Sequence, residues 1–122
     1  MDIEIPADAA ALAGLRRRLR RWLVLRGLSE QERENTVLSI SEACNNAIEH
    51  GYQGLSGTIR LIIDHSEGTL QILVEDHGSW RPPVPDTERG LGIEIMRSVM
   101  DEASLEHEPG RTRVLLSQRL AR

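Results

Sequence analysis

The spacing of apolar residues changes period along the chain, and each change marks an element. Asp2-Ile3-Glu4-Ile5 alternates and then meets Pro6, which predicts a short edge strand. From Ala7 to about Arg26 the apolar positions Leu12, Leu15, Leu19, Trp22 and Leu23 recur at helical spacing, with Arg16, Arg17, Arg18, Arg20 and Arg21 on the other face. Gly27 is the expected C-terminal cap. Ser29-Glu30-Gln31-Glu32 has the form of a capping box, so a second helix should run from there to about His50, with Val37, Ile40, Cys44, Ala47 and Ile48 facing the core.

Alternation then returns. Thr58 to Asp64 and Thr69 to Asp76 predict a hairpin turning through His65-Ser66-Glu67-Gly68. His77 to Arg89 holds Pro82, Pro83 and Pro85 and predicts a loop. Gly90-Leu91-Gly92 should open a third helix reaching about Asp101, with Leu91, Ile95, Met96 and Val99 inward. Ala103 to His107 and Thr112 to about Arg119 predict a last hairpin turning at Glu108-Pro109-Gly110. The order β-α-α-β-β-loop-α-β-β implies an α/β (α+β) two-layer sandwich, a mixed, mostly antiparallel sheet with three helices on one face. Residues 1–122 are expected to form a single domain.

Composition narrows the function classes. The three aromatic residues are Trp22, Tyr52 and Trp80, so the core must be aliphatic. All fifteen basic residues are Arg, which excludes a P-loop lysine and a Schiff-base lysine. The formal charge of -4 speaks against a nucleic-acid or anionic-membrane partner, and leaves the arginine face of the first helix as a solvated surface. Cys44, the single cysteine, falls in the core-facing series and reads as an inert buried thiol, with no disulfide and no cysteine-based zinc site. No apolar run approaches the roughly 20 residues of a membrane span, and no signal-peptide pattern opens the chain, so a cytoplasmic setting is expected.

Four local features can carry chemistry. Glu42 and Asn46 stand four apart and project from one helix face, a proton acceptor beside an amide oxygen suited to a hard cation. Tandem Asn45-Asn46 disfavours helix, so the face is either a solvated surface or one that presents these groups to a ligand. Asp76-His77-Gly78 ends a strand with a carboxylate that can accept from an exocyclic amine, while Gly78 permits close backbone approach; a plain strand-to-loop turn reads the same way. Gly90-Leu91-Gly92 leaves unshielded backbone N–H groups at a helix start, an arrangement that favours phosphate. Thr112 on the last strand could reach a base edge or a water. Arg81, Arg89 and Arg97 lie around the phosphate end in sequence, one of them a candidate partner for it. His50 reads as a helix C-terminal residue rather than a metal ligand.

In this order the features resemble the GHKL ATPase superfamily, the group with the Bergerat nucleotide-binding fold. More narrowly they resemble its anti-sigma-factor serine kinase branch, of the RsbW and SpoIIAB type. Glu42-Ala43-Cys44-Asn45-Asn46-Ala47-Ile48-Glu49-His50-Gly51-Tyr52 carries the likeness, which extends over nearly the whole chain. The resemblance implies ATP and Mg²⁺ as cofactors, Glu42 as general base and Asn46 as the Mg²⁺ ligand. It implies Asp76 as reader of the adenine amine with Gly78 beside it, Gly90 and Gly92 against the phosphates, and Thr112 supporting the adenine end. The implied activity is that of a serine/threonine-protein kinase acting on an anti-anti-sigma (STAS) protein, with a sigma factor as the other partner, no direct nucleic acid, and a homodimer. Its rival is a non-catalytic switch module that docks such a partner, as a domain of a larger PP2C-type phosphatase regulator would. The chain departs from the family pattern at Trp80, where a second Gly is expected, at Arg111 before Thr112, and in a short, proline-stiffened segment from Ser79 to Arg89.

Overall fold

The computed structural model describes residues 1–80 and 88–121. Five strands form one sheet in the order β1-β2-β3-β5-β4: β1 (Asp2–Pro6), β2 (Thr58–Ser66), β3 (Thr69–Asp76), β4 (Glu102–Glu108) and β5 (Arg111–Arg119). Each neighbouring pair is antiparallel. Helices α1 (Ala9–Leu25), α2 (Glu30–Asn46) and α3 (Ile93–Val99) cover one face, giving the two-layer α/β fold that the element order predicts. Among the described residues no helix is long and apolar enough to cross a membrane.

Strand periodicity decides what faces the helices. Ile59, Leu61 and Ile63 on β2, Leu70, Ile72 and Val74 on β3, and Val114 and Leu116 on β5 are all buried. Leu12, Leu15, Leu19 and Leu23 of α1 and Val37, Ile40 and Cys44 of α2 meet them. Each such aliphatic side chain contributes about 1.5–3 kcal/mol by leaving water. Burial pushes the Cys44 thiol up to about 12, so it is inert at neutral pH. The opposite sheet face is mixed: Ile62, Leu73 and Leu115 form an apolar row across it, beside charged rows. One row across it runs Glu4, Arg60, Glu75, Arg113, Glu106, with charges alternating in sign between paired strands.

The helix ends follow their sequence signals. Gly27 takes φ 82°, the Leu28 amide donates to Leu23 O and the Gly27 amide to Val24 O, which closes α1 as a Schellman turn. Ser29 Oγ accepts from the Glu32 amide while Glu32 Oε1 accepts from the Ser29 amide, completing the capping box.

Some boundaries differ from expectation. The first hairpin pairs through Ser66 and Thr69, leaving a two-residue turn at Glu67 (φ 52°) and Gly68 (φ 73°). Positive φ at both central positions matches the right-handed twist of the strands better than the four-residue turn anticipated. In α3, Ile93 and Met96 are buried while Ile95 is exposed, and the helix ends at Val99 because Met100 turns extended. Arg16 is not simply solvated: its Nε donates to Ser41 Oγ at 3.0 Å, and Arg20 pairs with Glu34, joining α1 to α2. Arg81 and most of the predicted loop, residues 81–87, lie outside the described residues.

Candidate functional site

The second helix does not end as an ordinary α-helix. After Asn46 it widens into a π-turn at Ala47–Gly51, closed by the Tyr52 amide donating to Ala47 O at 2.8 Å. Such wide turns are frequent at functional sites. Tyr52 then fixes the exit, its hydroxyl donating to Thr58 O at 2.6 Å and accepting from the His77 amide at 2.9 Å. The ring of Tyr52 fills the space a side chain at residue 57 would need, which makes Gly57 obligatory there.

Glu42 and Asn46 meet the glycine turn. Asn46 is buried, and its amide nitrogen donates to Leu91 O. That bond leaves the Asn46 carbonyl oxygen as an acceptor. Gly92 adopts φ 70°, and a Cβ on it would lie 2.7 Å from Glu42 Oε2. The predicted pair is therefore one wall of a joint whose other wall is Gly90-Leu91-Gly92. Glu42 also lines a groove of about 420 Å³ between α1 and α2, with Arg16, Arg20, Ser41 and Asn45. The glycine turn lines a separate cleft of about 380 Å³ with Glu88, Arg89 and Arg97. Arg97 is committed there, donating to Ala103 O at 3.1 Å and to Glu88 at 2.9 Å.

Asp76 and Thr112 form the second cluster. Both continue the inward rows of their strands and stand opposite each other in register, at the end of the central strands beside the π-turn. Thr112 Oγ1 and His107 Nδ1 lie 2.8 Å apart. Asp76 Oδ1 accepts from the Gly78 amide at 3.0 Å. Burial raises the Asp76 carboxyl above its ordinary value, although the Gly78 and Trp80 hydrogen bonds favour the charged form.

The close approach at Gly78 is to the chain itself: a Cβ there would overlap the Gly51 carbonyl. Gly51 is equally constrained, since its Cβ would fall 2.7 Å from Trp80 Nε1 and 2.9 Å from Asp76 Oδ1. In the sequence Gly51 is only the residue after the expected helix end at about His50, which does not reveal this contact; the His50-Gly51-Tyr52 run is its one visible trace.

Trp80 is the residue whose position the sequence left open. It is 6% exposed, and its indole N–H donates to both oxygens of Asp76, at 2.8 and 2.9 Å. The rings of His50 and His107 lie 6.3 and 6.1 Å from it, both tilted. Its φ of 30° is in the left-handed region, a conformation that costs a bulky residue about 1–3 kcal/mol and persists only because its surroundings hold it.

The chain is similar to known proteins over most of its length. The family model described as the histidine kinase-like ATPase domain matches residues 5–118. The serine-protein kinase RsbW of Bacillus mycoides is 28% identical over 138 aligned positions, which take in all of this chain and 86% of that protein. RsbW of Bacillus thuringiensis is 27% identical with the same coverage. The crystal structure of the RsbU and RsbW domains of a Mycobacterium tuberculosis protein superposes with a TM-score of 0.76 at 26% identity. It covers all of this chain but 33% of the mycobacterial one, so this chain spans about a third of that protein. The histidine kinase AdeS of Acinetobacter baumannii shares the fold, with a TM-score of 0.55 at 12% identity over 74% of this chain and 48% of that one.

Proposed function

Because the chain belongs to the histidine kinase-like ATPase family, we propose that it is a regulatory protein kinase. In this reading it moves the γ-phosphoryl of ATP to a seryl hydroxyl of an anti-anti-sigma (STAS) protein, and otherwise holds a sigma factor. The observation that carries the reading is the joint between α2 and the glycine turn, where Glu42 and Asn46 face Gly90-Leu91-Gly92. Homology to the RsbW kinases supports the regulatory role at the level of the family.

In the proposed transfer, Glu42 accepts the seryl proton as the serine oxygen bonds to the γ-phosphorus. The bond from that phosphorus to the β–γ bridging oxygen breaks, ADP leaves, and the proton passes on to solvent. The acceptor hydroxyl reaches Glu42 from the groove between α1 and α2, which opens beside it. Gly90 and Gly92 let the phosphates approach the backbone without a side chain intervening. Asn46, through the amide oxygen its bond to Leu91 leaves available, fits the single hard donor that Mg²⁺ needs when phosphates and water supply the rest. Mg²⁺ bound there would neutralise charge on the triphosphate. Asp76 accepts the adenine amine, with Gly78 and Thr112 shaping that end.

A second reading is favoured by the hold of Trp80 on Asp76: a switch module that docks its partner without transfer. Incubation with γ-labelled ATP and a STAS protein separates the two. Label on the partner should fall by about 10²–10⁴-fold in Glu42→Ala while partner binding persists. Capture of the partner with no transfer by the unmodified protein would select the docking module instead.

A further inference from the structure

We propose that Trp80 is an internal occupant of the base end of this site, a stand-in for a purine that an incoming nucleotide must displace. The proposal rests on the nucleotide reading above and adds to it a competition within the chain.

Three observations carry it. The first is chemical. The indole is a planar bicycle whose one N–H is shared between both Asp76 oxygens, at 2.8 and 2.9 Å. An ionised carboxylate only accepts, so what it selects is a ligand presenting a donor. Indole N–H and the exocyclic amine of a purine meet that requirement alike. The second is spatial. Trp80 Nε1 sits so close to the Gly51 backbone that a single methyl on Gly51 would lie 2.7 Å from it. With His50 and His107 flanking the ring, the space over Asp76 is taken. A base cannot stack there while the indole does.

The third is conformational. At φ 30°, Trp80 holds a backbone conformation that suits glycine, and it does so in a nearly buried position. Strain of this kind persists only where contacts over-determine it. Loss of the Asp76 hydrogen bonds to a competing donor removes the contact that holds the ring and lets the backbone relax. The occupied and vacated arrangements thus form a two-state element whose balance the ligand sets. Where a binding-competent state is a fraction of the population, apparent affinity weakens by that fraction. A ring seated in nine of ten molecules weakens nucleotide binding about tenfold.

The test is calorimetric titration of the protein, Trp80→Gly and Trp80→Phe with Mg·ADP. Trp80→Gly should bind at least tenfold more tightly than the unmodified chain. Trp80→Phe, which keeps a ring but no N–H, should fall between them. Equal affinities overturn the plug and leave the nucleotide reading standing, whereas no binding by any of the three overturns both. Should Trp80→Gly fail to fold, Trp22→Phe makes Trp80 the sole tryptophan, and acrylamide quenching reports its exposure. Saturating Mg·ADP should raise the quenching constant several-fold. An unchanged or lower constant means the indole stays seated, which overturns the proposal.

Discussion

The Glu42 carboxylate lies against the backbone of Gly92, close enough that a Cβ on the glycine would sit 2.7 Å from Oε2. These residues come from α2 and from the turn before α3, and nothing between them in sequence announces the contact. It places the acid against the glycine turn, where a side chain at residue 92 would displace it.

Gly92→Ala tests that contact. The substitution meets two penalties, a left-handed φ of 70° and the Glu42 oxygen. Stability should fall by about 1–2 kcal/mol from backbone strain alone, read by urea unfolding. Phosphoryl transfer to a STAS protein should fall at least tenfold, because Glu42 must swing away. A variant of wild-type activity would show that the contact is incidental.

Gly78→Ala isolates a steric effect without positive φ. Its Cβ would overlap the Gly51 carbonyl, and backbone cannot yield as a flexible side chain can. A loss of about 1–3 kcal/mol is expected, the range of overpacking in a tight interior. Gly54→Ala is the control: φ is 80° but nothing lies within 4 Å, so only strain of about 1–2 kcal/mol applies. Both are measured by denaturant unfolding, and the Gly78 variant alone should also shift the fluorescence of Trp80.

Asp76→Asn makes a prediction about pH. Burial holds the folded carboxyl above the ordinary value of about 3.9, so between that value and the folded one the native state keeps a proton the unfolded chain has released. Native protein then binds more protons, and the stability contributed by Asp76 declines as pH rises through this window. The stability of the protein minus that of Asp76→Asn should therefore fall from pH 3.5 upward and level off above the folded value. Urea unfolding across that range checks the sign. A difference that grows with pH would mean hydrogen bonds from Gly78 and Trp80 outweigh burial.

The elements were legible because each is written in local periods. The Leu12, Leu15, Leu19, Leu23 stripe and the Ser29–Glu32 box place α1 and the start of α2 with no tertiary information, and their caps form as the residues dictate. Asp76 could be named as a candidate because it ends a strand in a carboxylate before Gly78, and Thr112 through the family resemblance. That they stand opposite each other is a matter of β3–β5 register, which strand pairing alone decides. Arg97, a candidate for the phosphate end, does line the glycine-turn cleft, but its guanidinium is already held by Ala103 O and Glu88, which only the packed chain reveals.

By itself, then, the order of residues determined the two-layer fold and its helix boundaries to within a turn, and it nominated Glu42, Asn46, Asp76, Gly90 and Gly92 as candidates for chemistry. Hydrophobic period and capping act between near neighbours, so they survive in a one-dimensional reading. Tertiary structure alone decided that α2 widens at Ala47–Gly51, that Gly78 and Gly51 touch backbone to backbone, and that Trp80 bonds to Asp76. Those contacts join segments that are distant in the chain or turn through unusual φ, and only the packed sheet and helix layers bring them within reach.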